Sequence, residues 1–388
     1  MRILVTTDQW FPDFQGGSAR VAAATSHELA KRGHDVTVIC PQHPGLPRDG
    51  ADGKVAVRRV LPRGRVPRTF SDPLHVRRIV RRLTPDTYDV VIAHQPTNAV
   101  GVLAGSLAAP LALVFHASGP RELRFEQERA PSRRRRLTAS LMRPPLAWLE
   151  RRAVAGAKRI LVLSEFSRGL LAADHTGALS KIRVVGGGVD TSAFTPGEGQ
   201  AAARRVLGRS ENEALLFTVR RLDPRMGLEA LLEAVALLEP SHPSRLAIAG
   251  SGPLEHGLRR RADELGIAAR VAFLGRVSDE QLRHWYQAAD LFVLPTVAYE
   301  GFGMATVEAL ASGTPVVGTP VGATPEVLQP LDARLVATGS GARELADAIS
   351  ATLARTSEDL RARCRDYAVS RYDWSRVIMS WEEALQSP

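Results

Sequence analysis

The feature that most constrains this chain is an alternation, kept up along most of its 388 residues, between short β-rich apolar runs and longer helical patterns. That alternation is the signature of βαβ units, and such units build parallel, doubly wound sheets. In the first half the runs Ile3–Thr7, Val36–Cys40, Val55–Val60, Val90–His94, Leu111–His116, Ile160–Leu163 and Ile182–Val185 read as strands. Helical stretches between them include Ser18–Lys31, ended by Gly33, and a long one at Glu122–Ala155. A second series follows: Leu215–Val219, Leu246–Ala249, Val271–Leu274, Leu291–Leu294 and Pro315–Gly318, with helical patterns alone after Gly341. The segment Asp190–Gly199 between the series holds Thr, Ser, Pro and Gly and reads as an interdomain linker. Two series in a chain too long for one core predict two domains, 1–190 and 191–370, with a terminal helix in 371–388. In sheets of this type ligands bind beyond the carboxyl ends of the strands, so two of them facing each other would enclose a cleft.

Composition narrows the class. With 44% hydrophobic and 24% charged residues the chain is neither a disordered nor a fibrous protein. Its net charge of +10 is unevenly spread: residues 1–190 carry 30 Lys and Arg against 16 Asp and Glu, whereas 191–388 carry 21 against 25. A general nucleic-acid coat would not confine its excess to one half, so partners that differ between the halves are expected, and no nucleic acid. Two cysteines, Cys40 and Cys364, cannot make a disulfide framework or a zinc site, which fits a reducing compartment. Asp8 stands where a signal peptide would still be apolar, so export is not expected. The apolar stretch Ala99–Phe115 is divided by Pro110 and reads as a buried helix followed by a buried strand.

The strongest motif runs Glu300-Gly-Phe-Gly-Met-Ala-Thr-Val-Glu308 and continues to Val317, directly after a strand and into a helix. Gly301 and Gly303 let backbone approach a ligand, and a helix N-terminus offers free N–H groups to anionic or hydroxyl oxygens. Glu300 in the loop and Glu308 inside the helix could grip different parts of one extended polar ligand.

This segment resembles the paired-glutamate signature of the retaining glycosyltransferases of family 4. Other segments agree in order: Gly16-Gly17 with Arg32-Gly-His-Asp-Val36, Gly186-Gly-Gly-Val-Asp190 with Phe194 and Pro196, Arg221-Leu-Asp-Pro-Arg-Met-Gly227, Ala249-Gly-Ser-Gly-Pro253 and Phe273-Leu-Gly-Arg-Val277. The resemblance implies an α/β chain of GT-B architecture, two Rossmann-like doubly wound domains facing a cleft. The N-terminal domain would bind the acceptor and the C-terminal one a nucleoside-diphosphate sugar, and the helix Trp374–Leu385 would cross back onto the N-terminal domain. It implies that Glu308 holds ribose hydroxyls. Glu300 and the backbone of Phe302, Gly303 and Met304, with Ala305 beside them, would hold the transferred sugar. Val277 would meet the base, Gly17 would approach the diphosphate, and Arg221 would neutralise it. Where the family usually has lysine this chain has Met226, so Arg225 or Arg220 is expected to supply the second cation. His116, at a strand end, matches a family histidine beside the reacting sugar.

No carboxylate pair spaced to hold a metal accompanies these motifs, and no cofactor is expected beyond the donor itself, with UDP placed ahead of GDP. Two arginine-rich runs, 54–82 and 121–159 with Arg133–Arg136, suggest an anionic membrane surface or a phosphorylated acceptor at the N-terminal domain. The reading is therefore a metal-independent, retaining hexosyltransferase, cytoplasmic and peripheral on the inner face of a membrane. Its acceptor would be a glycan, a lipid-linked group or a small molecule. A nucleotide-sugar epimerase and an inactive sugar-nucleotide-binding protein are the alternatives.

Overall fold

The computed structural model describes all residues except 15, 62–67, 84–86, 130–132, 211–212, 239–243 and 387–388; the side chains of 68–70 and 135 are also left undescribed. The chain divides into two compact units, Met1–Gly187 with Trp374–Pro388, and Gly188–Asp373.

The first unit runs β1 (Arg2–Thr6), α1 (Gly17–Lys31), β2 (Asp35–Pro41), β3 (Asp49–Asp52), β4 (Val55–Leu61), α2 (Arg68–Val80), β5 (Val90–His94), α3 (Pro96–Gly105), β6 (Leu111–Val114), α4 (Gly119–Arg129), α5 (Arg133–Gly156), β7 (Arg159–Val162), α6 (Glu165–Asp174) and β8 (Ile182–Val184). Its sheet has the order β3-β4-β2-β1-β5-β6-β7-β8, parallel apart from the β3–β4 pair. The middle strands are covered on both faces, which is why they are continuous apolar runs such as Ile3-Leu4-Val5 and Val90-Val91-Ile92. The order reverses between β1 and β5, because the chain first adds strands on one side of β1 and then on the other.

The second unit runs α7 (Gln200–Val206), β9 (Ala214–Val219), α8 (Leu228–Leu237), β10 (Ser244–Ala249), α9 (Glu255–Glu264), β11 (Val271–Gly275), α10 (Asp279–Ala288), β12 (Leu291–Leu294), α11 (Met304–Ala311), β13 (Val316–Gly318), α12 (Thr324–Leu328), α13 (Ala342–Leu353) and α14 (Glu358–Tyr372). Its parallel sheet has the order β11-β10-β9-β12-β13, so here the reversal lies between β9 and β12. The last helix, α15 (Trp374–Gln386), belongs to the first unit.

Several expectations need correction. The strand β3 was not expected: its sequence, Asp-Gly-Ala-Asp, carries no β signal, and it exists because β4 offers an open edge on which a short hairpin can fold back. The single long helix expected at Glu122–Ala155 is two helices, α4 and α5, with 130–132 between them outside the described residues. Asp190–Gly199 is built into the second unit rather than linking two. Arg365 donates to the carbonyls of Phe194 at 2.6 Å and Thr191 at 2.9 Å, Phe194 is buried, and the boundary falls at Gly187–Gly188. The stretch Ala99–Phe115 is shared between α3 and β6, and no helix among the described residues is long and apolar enough to cross a membrane.

Helix α15 is held by specific groups. Trp381 is fully buried and its Nε1 donates to Gly186 O at 3.1 Å, Ser380 donates to Val185 O at 2.7 Å, and Glu382 accepts from Arg32 Nε at 2.6 Å. Trp381→Ala should therefore cost ~3–5 kcal/mol, the usual range for emptying a buried aromatic site. Hydrogen exchange checks this: amides of α1 and β7 should lose protection while those of the second-unit strands keep theirs.

Candidate functional site

In the second unit the two loops that diverge at the strand reversal, after β9 and after β12, carry the motif residues. The reversal itself is the reason: successive crossover helices leave to opposite faces there and open a crevice at the carboxyl ends of the strands. The loops lie against each other so tightly that a Cβ on Gly227, at φ +71°, would be 1.7 Å from Pro295 O, and only glycine fits. Val297 N donates to Arg225 O at 2.9 Å and Arg225 Nη1 to Tyr299 O at 3.3 Å, tying the two loops together. Tyr299 is held at φ +56°, a left-handed conformation uncommon for a residue with a side chain. Just beyond it, Ala323 N donates to Glu300 O at 2.9 Å and fixes the backbone of the first motif carboxylate.

Glu300 sits in a small buried network. Arg220 Nη2 donates to Glu300 Oε2 at 2.6 Å, Thr296 Oγ1 donates to the same oxygen at 2.8 Å, and Arg220 Nη1 donates to Thr296 Oγ1 at 2.7 Å. Burial pushes the Glu300 carboxyl up, but the Arg220 charge and the hydrogen bonds from Arg220 and Thr296 outweigh it and leave the group below the usual carboxylate value. Glu300 is thus an ionised acceptor with its lone pairs partly engaged and its position fixed. Glu308, inside α11, is also buried and accepts from the phenol of the fully buried Tyr286 at 2.9 Å. Between them, Gly303 at φ +87° begins α11 with no side-chain cap. The first-turn N–H groups of Met304 and Ala305 therefore carry the positive end of the helix without an intrahelical acceptor. Phe302 is buried edge-on to Tyr372 at 5.8 Å and anchors this turn.

The other expected residues fall as follows. Arg225 lies on the joined loops, and its charge is among those holding Glu300 down. Arg221 points elsewhere: its side chain is 67% exposed, 3.6 Å from Asp223, and takes no part in the Glu300 network. The guanidinium that does is Arg220, one residue earlier. Met226 is packed in the second unit's apolar core with Leu222 and Leu228, filling volume there. Val277 is half-buried in the loop after β11, just before the capping box of Ser278 and Gln281 that starts α10. Gly17 opens α1 in the first unit, where Gly16 also supplies no side-chain cap.

His116 lies two residues past β6 and pairs with His94, the last residue of β5, with 3.0 Å between Nε2 of His116 and Nδ1 of His94. Burial pushes His116 down to about 4, and burial, with the neighbouring His116 second, holds His94 well below the usual imidazole value. Both rings are neutral at neutral pH, so His116 can orient a neighbour or share a hydrogen bond but brings no cationic charge. Thr296, Tyr286 and His94 were not anticipated. The one available signal was that two expected strands, Val90–His94 and Leu111–His116, both end in histidine. Among the described residues no group of three or more His, Cys, Asp or Glu side chains is placed to hold a metal ion.

Two family patterns match the chain, Glycosyltransferase Family 4 over residues 15–193 and Glycosyl transferases group 1 over 199–371. Among curated proteins, the D-inositol 3-phosphate glycosyltransferase of Mycolicibacterium smegmatis is 34% identical over 304 residues, covering 76% of this chain and 66% of that protein. The protein of the same name from Mycobacterium sp. (strain JLS) is 36% identical over 234 residues, covering 58% and 52%. The matched region thus spans between about half and two thirds of the length of these relatives. Among solved structures, sucrose-phosphate synthase from Thermosynechococcus elongatus superposes with a TM-score of 0.83 at 22% identity, covering 98% of this chain and 97% of that one. Anabaena Alr3699/HepE in complex with UDP-glucose superposes with a TM-score of 0.76 at 21% identity over the full length of both chains. At such identities the likeness establishes the fold, which is GT-B.

The ion pair generates a test. Arg220→Gln leaves a buried carboxylate without its cation, a change that typically costs ~3–5 kcal/mol. With its pKa below the ordinary 4.5, Glu300 contributes stability that is present above about pH 4.5 and lost as pH falls. Without Arg220, burial dominates and the pKa rises above 4.5, so the sign reverses and the variant should lose stability as pH rises through that higher value. Urea denaturation from pH 4 to 8 should show the gap to the parent widening with pH, and Arg220→Lys should narrow it.

Proposed function

We propose that this chain, a GT-B-fold relative of the family 4 and group 1 glycosyltransferases, transfers a hexose from a nucleoside-diphosphate sugar to an acceptor hydroxyl, with retention of configuration and without a metal. The observation that carries the reading is the pairing, at one strand reversal, of two anchored carboxylates on either side of an uncapped helix N-terminus. One donor molecule presents both kinds of group such an arrangement complements: hydroxyls at its ribose and sugar, and anionic oxygens at its diphosphate. Glu308, fixed by Tyr286, takes ribose hydroxyls. Glu300, fixed by Arg220 and Thr296, takes hydroxyls of the sugar, whose other oxygens meet the N–H groups of Met304 and Ala305. Val277 lies beside the base. Gly17 and the positive end of α1 serve the diphosphate.

Breaking the bond between the anomeric carbon and the diphosphate oxygen places negative charge on the leaving group and positive character on the sugar. In this assignment Arg225 and Arg220, with Arg221 swinging in from solvent, stabilise the former, and preorganised guanidinium and N–H groups do so without reorganising at the moment of reaction. The acceptor hydroxyl attacks from the face the diphosphate leaves, and its proton passes to the departing phosphate oxygen, so no covalent intermediate on the protein is needed. His116, neutral and steadied by His94, orients the sugar. UDP is favoured as the nucleotide because a structural relative was solved with UDP-glucose.

The first unit is assigned the acceptor. Its arginine-rich α5 exposes Leu137, Leu141 and Trp148 by 60%, 67% and 55%, an apolar and aromatic set beside the exposed Arg133 and Arg134. Peripheral contact with an anionic membrane, from the cytoplasmic side, is the use we propose for it. The other basic run contributes less than its composition suggested: Arg59 is half-buried and paired with Asp13 at 2.6 Å, Arg58 pairs with Asp49, and Arg63 and Arg65 lie outside the described residues.

Calorimetry against UDP- and GDP-sugars, followed by turnover assays, tests the donor assignment. Glu308→Gln should weaken UDP-sugar binding about tenfold or more, the scale of a charged hydrogen bond. Glu300→Gln should lower turnover at saturating donor instead. Unchanged constants in both variants would sink the reading, epimerised sugar formed without acceptor would replace it with an isomerase, and donor binding without hydrolysis or transfer would leave a binding protein. For the membrane, cosedimentation with phosphatidylserine vesicles should fall with added salt and with serine at Arg133–Arg136, and equal binding to neutral vesicles would count against it.

A further inference from the structure

Two cavities of opposite character lie in the two units. One of about 180 Å³ in the first unit has Asp8, Asp72, Gln95 and Glu150 in its wall, and no Lys or Arg among the described residues. The other, about 50 Å³, lies in the second unit at the end of the sheet opposite Glu300, where β9, β10 and β11 begin. Arg209, Arg245 and Arg270 all stand in its wall, with no Asp or Glu among the described residues there. Along β9, ~3.3 Å per residue puts about 16 Å between Leu215 in that wall and Arg220 beside Glu300. A ligand held here is therefore separate from one held at Glu300 and Glu308.

The three guanidinium groups differ in what answers their charge. Arg245 pairs with Glu213 and donates through Nη1 to Ala269 O at 3.0 Å, so it is matched. Arg270 is held by neutral groups only, Ser244 O at 3.1 Å and Ser244 Oγ at 2.8 Å. Arg209 is half-buried and lies over Trp285, its guanidinium carbon 5.2 Å from the ring centre. Trp285 is itself buried and stacked on Phe217, so the platform under Arg209 is rigid. Among the described residues no group accepts a hydrogen bond from the Arg209 side chain. Its Nε is buried and out of a ligand's reach, but Nη1 and Nη2 are not buried and are the donors a ligand would meet. Two cations without a counter-charge at one small cavity repel each other, and a shared anion relieves that repulsion.

Size and charge select the anion. At ~30 Å³ per water the cavity has room for about two waters, so it seats the oxygens of one group and not a ring; whole-molecule pockets begin at ~300 Å³. A carboxylate brings one negative charge and two oxygens. A phosphate monoester brings a charge of about −1.5 to −2 and three acceptor oxygens, which match two unanswered guanidinium groups. The planar guanidinium fork also fits phosphate oxygens in pairs. We infer that Arg209 and Arg270, with the more exposed Arg245 beside them, form a phosphate-binding site apart from the candidate donor site. Its ligand is free phosphate or the phosphate group of a small phosphorylated molecule. The site does not depend on the glycosyltransferase reading.

The test uses the whole chain with inorganic phosphate, glycerol 3-phosphate and acetate as probes, by calorimetry and phosphorus NMR, each with UDP present to fill any diphosphate site. Saturable phosphate binding at millimolar concentration or below is expected, with acetate at least tenfold weaker. Arg209→Gln should weaken phosphate binding about tenfold, the scale of one charged hydrogen bond. Because the Arg209 side chain makes no hydrogen bond within the protein, this variant should melt near the parent. Arg209→Lys, which keeps the charge and loses the fork, should weaken binding less. Replacing Arg245 and Glu213 together by glutamine removes a matched pair and should change binding by less than about threefold. Glycerol 3-phosphate binding more tightly than inorganic phosphate supports the site and assigns it to a phosphorylated molecule; the reverse order supports it and assigns the free ion. Absence of saturable phosphate binding, its abolition by UDP, acetate binding as tightly, or an unchanged constant in Arg209→Gln would overturn the inference.

Discussion

Both units depend on one geometric constraint, the occupation of a central strand on its two sides by strands laid down in opposite directions. β1 lies between β2 and β5, and β9 between β10 and β12. Right-handed crossovers put the helices that follow such neighbours on opposite faces of the sheet, which opens a crevice at the carboxyl ends of the strands. Apolar runs such as Ile3-Leu4-Val5 and Leu215-Leu216-Phe217 keep these strands buried, while polar residues in the loops that follow, Asp8 and Arg220, stand at their carboxyl ends. Core packing and chemistry are consequently set by adjacent residues of the same loops.

What those loops do differs between the units because their charges are neutralised differently. In the second unit Glu300 is matched by Arg220 and Thr296, which offset the cost of burial and hold a carboxylate ionised in one position. In the first unit Glu150 has a neutral partner in Ser118 and a histidine on one oxygen only, and the His94–His116 pair is kept uncharged by burial. One unit therefore combines a guanidinium with a buried carboxylate, and the other keeps a buried carboxylate and a histidine pair with no arginine partner among the described residues. The excess of positive charge in the first half of the sequence lies largely on exposed helix surface, as at Arg133 and Arg134, and not in the wall of its cavity.

Among the described residues the alternation of apolar runs and helical patterns was enough to find each strand but β3, because the central strands, covered on both faces, are apolar throughout and stand out from amphipathic helices. β3 escaped because an edge hairpin needs only a partner with an open side, not β-forming residues. The Glu300–Glu308 motif was legible because glycines and acids coincide there after an apolar run. Thr296 and Tyr286 were not, since a threonine after a strand and a tyrosine in a helix are ordinary residues until folding aims their hydroxyls at a carboxylate. That Arg220 pairs with Glu300 was not legible either, because a motif gives position along the chain, whereas successive residues leaving a strand point to opposite sides, and only one side faces Glu300.

By itself, then, the sequence determined the two doubly wound sheets, their strands and the loop that carries the paired glutamates, since these follow from periodicity and local residue chemistry. The tertiary structure alone decided which guanidinium serves Glu300, that Met226 is core, that Asp190–Gly199 is packed into a domain, and that Asp8, Asp72, Gln95 and Glu150 share one cavity. Each of those depends on direction and on contact between residues far apart in the chain, and burial is what turns such contacts into a fixed charge or an unsatisfied oxygen.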